Sequence, residues 1–224
     1  MPSRADADRL FFRRFSWALI LLILAGFGGR ALTSREELPP AAAILLPHIA
    51  CIGGWYLLFA AQVSLIGARR KGLHRRLGYL SLPLAIGVVW TGVTVAFANY
   101  RLKHDAPLVF FNLLNLSQFA ALYAAAVVLV RKPAAHKRLM LFGSIAMMPP
   151  ALVRIIQAIG LPEVVTVAPM LGLLVPVVLH DRRTLGGVHP STWIGGGAVV
   201  AGILIGGPLA FQQGWAAWLD GVGS

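Results

Sequence analysis

PLVFFNLLNLSQFAALYAAAVVLV, residues 107–130, contains no charged side chain, and it runs directly into RKPAAHKRLM, residues 131–140, which carries Arg131, Lys132, Lys137 and Arg138. A helix rising 1.5 Å per residue needs about 20 mostly apolar residues to cross a hydrocarbon core of about 30 Å. The first stretch is long enough to cross, and the second marks where the crossing stops. Working outward, the same alternation recurs. Apolar stretches lie at about 15–33, 42–67, 77–100, 139–159 (which contains Arg154), 161–180 and 191–211, joined by short turns. The expectation is an all-α, polytopic membrane helical bundle of about seven transmembrane helices, forming a single integral membrane domain over 1–224.

Composition supports lipid as the solvent. The chain is 58% hydrophobic and 12% charged, with a mean hydropathy of +0.75, whereas soluble domains carry roughly 25% charged residues. An apolar exterior carries no penalty in a bilayer, provided the backbone bonds itself within helices. The net charge of +12 does not point to nucleic acid, which needs its basic residues gathered on one folded face; here they form short clusters between apolar runs. Cys51 is the lone cysteine, so no intrachain disulfide and no cysteine-based zinc motif can form.

The basic residues also set an orientation, because cytoplasmic loops retain Lys and Arg. Arg4, Arg9, Arg13 and Arg14 precede the first span, Arg69, Arg70, Lys71, Arg75 and Arg76 follow the second, the 131–138 cluster follows the fourth, and Arg182 and Arg183 follow the sixth. Most of the acids, namely Glu36, Glu37, Asp105, Glu163 and Asp220, fall on the opposite side. The N-terminus is expected in the cytoplasm and the C-terminus outside, in a bacterial inner membrane, with the basic turns meeting anionic lipid headgroups. Arg13-Arg14 before an apolar run resembles a secretory signal, but Gly29 to Ser34 offers no clean small-x-small cleavage site, so the first span is expected to be retained; cleavage would leave six spans in the same orientation. Trp215 and Trp218 read as interfacial anchors.

Two basic turns match position by position. RRKGLHRRL at 69–77 aligns with RKPAAHKRL at 131–139, and Arg182-Arg183 followed by His189-Pro190 is a looser third copy. Three helical hairpins after a leading helix are implied, and membrane repeats of this kind often meet around a shared site. On His48, the His74-Arg75-Arg76-Leu77-Gly78 turn, the His136-Lys137-Arg138-Leu139-Met140 turn and Arg154, residues 45–190 resemble a family of bacterial multi-pass membrane proteins of unknown function. More distantly, His48 with its His-Arg turn is similar to the ascorbate-reducible b-type transmembrane cytochromes. That resemblance implies haem b between paired histidines on facing helices, although only His48 lies well inside a span here.

Chemistry has two candidate places. In the outer half, His48, Thr91, Asn112, Asn115 and Arg154 reach comparable depth, with Thr94 and Gln157 near them; Asn112 and Asn115 are three apart and share a helix face. An arginine within a span is costly and turns to the bundle interior or to the headgroups. This set would bind a redox cofactor (haem or quinone) or a small anionic ligand. The alternative is that Arg154 snorkels while the other polar groups bond neighbouring helices. At the cytoplasmic rim stand His74, His136, His180 with Asp181, and His189, candidates for a divalent metal or haem. No two of these histidines have the spacing that places two ligands on one helix face. The rim set leaves two further readings, a metal-dependent membrane hydrolase, or a non-enzymatic sensor or assembly protein whose imidazoles only face headgroups.

Overall fold

A computed structural model of the chain describes residues 3–28 and 42–223. The end of the first expected span (29–33) and the turn carrying Arg30, Arg35, Glu36 and Glu37 lie outside the described residues.

Among the described residues the structure is helical throughout. Helix α1 is Arg4–Ile23, continued by a π-helical turn at Leu24–Gly28. It begins well before the expected residue 15. Ser3 caps it by accepting from the Asp6 amide, and Phe12, Phe15, Ser16 and Leu19 form a buried stripe at the spacing of one helix face. Then follow α2 (Ala42–Gly67), the short α3 (Lys71–Gly78), α4 (Ser81–Lys103) and α5 (Ala106–Val128). Helices α6 (Pro133–Ala146) and α7 (Pro149–Ala158) meet at a 44° bend. A 3₁₀ turn at Glu163–Thr166 leads into α8 (Val167–Leu185), then α9 (Pro190–Ala210) and α10 (Gln213–Gly223).

Among the described residues six helices are long and apolar enough to cross a membrane, and the bent α6–α7 pair, a broken span or a re-entrant loop, brings the number to seven if it counts as one crossing. The chain is a multi-pass helical membrane protein. Its helices pack as a ring, α1 on α2, α2 on α4, α4 on α5, α5 on α9, α9 on α8 and α8 back on α1. Helix α6 fills the middle. Leu139 and the whole of Leu141 to Met148 are buried. Ser144 of α6 ties the centre to α2: its hydroxyl accepts from Trp55 Nε1 at 3.1 Å, and its carbonyl accepts from the Tyr56 hydroxyl at 2.7 Å. On the opposite side, Gly195 of α9 sits so close to Phe142 that a Cβ there would enter the ring.

Prolines place the breaks. Proline has no N–H and clashes with the carbonyl four residues back. Pro149 and Pro150 therefore end α6 at Ala146 and start α7. Pro83, near the start of α4, disfavours continuous helix through Tyr79. This separates the two aligned basic turns in structure: the 69–77 copy folds as a separate helix α3, whereas the 131–139 copy, with no proline among the nine residues after Leu139, runs straight into the central helix.

Candidate functional site

Trp55 of α2 and Phe119 of α5 are buried, with ring centroids 4.7 Å apart, edge to face, and Tyr123 packs against both. These rings form a floor at mid-bundle. Two helical turns away from it, in the direction opposite to the basic turns, stand the polar residues read from the sequence. His48 is seven residues before Trp55, Asn112 seven before Phe119, and Asn115 seven before the buried Leu122, so each occupies the inward face of its own helix. All three are only half-buried.

Helix α4 contributes Thr91. Its Oγ1 lies 3.1 Å from His48 Nδ1 and donates to the Gly87 carbonyl at 2.6 Å. A hydroxyl has one proton. Because the Gly87 carbonyl takes it, Thr91 accepts from His48 Nδ1–H. The neutral ring then presents Nε2 as a bare acceptor, and no described residue bonds it. This is the way imidazoles are oriented for ligand binding, one nitrogen fixed by the protein and the other offered. Thr94 bonds the Trp90 carbonyl of its own helix, and Gln157 bonds Glu163 beyond the end of α7.

Arg154 lies at the junction of α7 with the end of α1. Its Nη1 donates to the Pro150 carbonyl at 2.7 Å, and its guanidinium lies 4.2 Å from the Phe27 ring centroid. Close packing makes the junction, since Gly26 touches the Ala151 backbone where no Cβ would fit.

The rim histidines do not gather at one point. His180 Nε2 donates to Asp8 at 3.1 Å, and its ring stacks on Phe11 at 4.0 Å. His136 Nδ1 donates to the Ala126 carbonyl at 2.8 Å. His189 caps α9, its Nδ1 accepting from the Ser191 amide at 3.1 Å. Burial holds His189 below the ordinary imidazole value, with Arg138 and Lys137 adding to the effect and Asp181 opposing it. His74 is also held low, first by burial, with the Gln62 main chain opposing the shift and His136 adding to it. Among the described residues, no group of three His, Cys, Asp or Glu side chains could hold a metal ion.

Asp181 has another role. It is 0% exposed and paired with Arg138, which is 1% exposed. Arg138 Nε donates to it at 3.0 Å, Thr192 Oγ1 at 2.5 Å and the His189 amide at 3.1 Å. Arg138, read from the sequence as one more loop cation, is the largest charged group of the core. Asp8, which the sequence reading passed over, pairs with Lys137 as well as His180. One signal was available. The acids left at the basic end are Asp6, Asp8 and Asp181, and each takes a basic partner.

A haem at His48 would need a second axial ligand facing it. The rim histidines lie beyond the far end of α2, roughly 28 Å away along its axis from His48 to Gly67. His104 is in the exposed cap of α4, about 20 Å past Thr91. The residues present do not fit a bis-histidine haem at this position. Against family models, curated proteins and solved structures, the chain finds no match.

Proposed function

We propose that this membrane protein binds a lipid-soluble redox carrier of the quinone class at the polar group formed by His48, Thr91, Asn112 and Asn115. The observation that carries the reading is the Thr91 bond to His48 Nδ1, which leaves Nε2 as an acceptor in an apolar bundle. A quinol hydroxyl donates to that nitrogen. In the oxidised form, the carbonyl oxygens accept from the Asn112 and Asn115 amides, which have no protein partner among the described residues.

The test is a titration of the detergent-purified chain with a short-tailed quinol, following tryptophan fluorescence and the quinone extracted from the purified protein. Saturable binding is expected, weakened about ten-fold by His48→Ala, the usual cost of one lost hydrogen bond in an apolar site. Equal affinity of the two proteins, or a Soret band in place of extractable quinone, would sink the reading.

A further inference from the structure

At the basic end, two buried acceptors lie beneath a short cationic helix. Gln62 of α2 is 9% exposed, and its Oε1 has no hydrogen-bond partner; neither does the buried Nδ1 of His74 in α3. Helix α3 faces Gln62 directly, since a Cβ on Gly78 would stand 3.6 Å from the Gln62 amide nitrogen. His74 and Gly78 are four residues apart and share that face. Arg70 and Lys71 come one turn before His74 on the same side, and both are exposed. Beside them the chain presents Leu73, Tyr79, Leu80 and Leu82, large apolar side chains that are also exposed.

Buried acceptors without partners are rare in folded proteins and call for an unseen donor. A basic rim over an apolar flank calls for an anionic lipid. The two demands meet in one molecule. We infer that the junction of α3 with the end of α2 binds a phospholipid of the phosphatidylglycerol type, its phosphodiester against Arg70 and Lys71, its headgroup hydroxyls entering beside α3 to donate to Gln62 Oε1 and His74 Nδ1. The acyl chains run along the exposed Tyr79, Leu80 and Leu82 flank. A headgroup with charge but no hydroxyl satisfies only the basic residues, and one with hydroxyls but no net charge satisfies only the acceptors. This site is independent of the His48 group, which lies at the other end of α2.

The full chain, delipidated in detergent, is titrated with phosphatidylglycerol and with phosphatidylmethanol, which has the same charge and no headgroup hydroxyl. Thermal stabilisation and native mass spectrometry report binding. The wild type is expected to prefer phosphatidylglycerol by about ten-fold, the scale of one or two hydrogen bonds. Gln62→Leu and, independently, His74→Leu should erase that preference while retaining charge-driven binding. Arg70→Ala with Lys71→Ala should weaken both lipids alike. Soluble glycerol phosphate, which lacks the acyl chains, should not compete. Equal binding of the two lipids by the wild type, or a preference that survives both single substitutions, overturns the inference.

Discussion

Arg138 and Asp181 form an ion pair sealed in the bundle, 1% and 0% exposed, that joins the central helix to α8. Thr192 and the His189 amide complete the carboxylate's bonds, and Arg138 Nη1 donates to the Ala134 carbonyl at 2.8 Å. Phe12 lies beneath the guanidinium, 5.9 Å from ring centroid to Cζ. Three elements, α1, α8 and α9, are thereby referenced to one arginine.

Removing one member leaves a buried charge without its partner, whereas removing both leaves neither. Arg138→Met or Asp181→Leu alone should therefore destabilise the protein by about 3–5 kcal/mol, and the double variant by much less. Unfolding in detergent by heat or denaturant measures both. A double variant as damaged as the sum of the singles would show that the pair acts through packing and not through charge.

The contact of α9 with the centre depends on the absence of a side chain at Gly195. Gly195→Val forces a branched group into the Phe142 ring and should cost about 1–3 kcal/mol, the usual range for overpacking. Gly197, which has nothing near its Cβ position, is the control. Gly197→Ala should leave the unfolding midpoint unchanged or slightly raised, because alanine is the better helix former.

Thr91 positions His48 through a hydroxyl that accepts at Nδ1 and donates to Gly87. Thr91→Val keeps the shape and removes the acceptor, so His48 is no longer held in one tautomer. Quinol affinity should fall about ten-fold, and Thr91→Ser should restore most of it. Unaltered affinity in Thr91→Val protein would detach the threonine from the site.

Stability should fall in mild acid. Burial lowers His74 and His189 relative to the ordinary value of 6.5, so the unfolded chain takes up protons that the folded chain resists. Stability is complete above about 6.5 and declines as pH drops through it towards the lowered folded values. At His189, protonation also removes the lone pair that caps the Ser191 amide. His189→Asn, which keeps a capping oxygen and does not titrate, should flatten the slope. Unfolding midpoints across this pH range check it.

Much of the fold was legible because a membrane makes it so. The run 107–130 had to be a helix, since lipid offers its backbone no other partner, and the observed Ala106–Val128 agrees closely. Helix α1 was less legible. Its charged first half reads as a loop until Phe12, Phe15 and Leu19 are seen on one face. The far-end group was partly legible: His48 and Thr91 meet, and Asn112 and Asn115 lie on the inward face of α5. Whether the rim set converges was not legible, because sequence gives the level of a residue along a helix and not its azimuth; among the described residues no three of its groups could share a metal ion.

Residue order alone determined what can cross a bilayer, where each crossing ends and which turns stay basic, since these follow from the solvation of single segments. Which crossing occupies the centre, and that Arg138 finds Asp181 there, was decided only by the tertiary structure. A charge is tolerable in the core only when its counter-charge arrives from another helix, and the azimuth at which two helices meet is a property of the packed bundle.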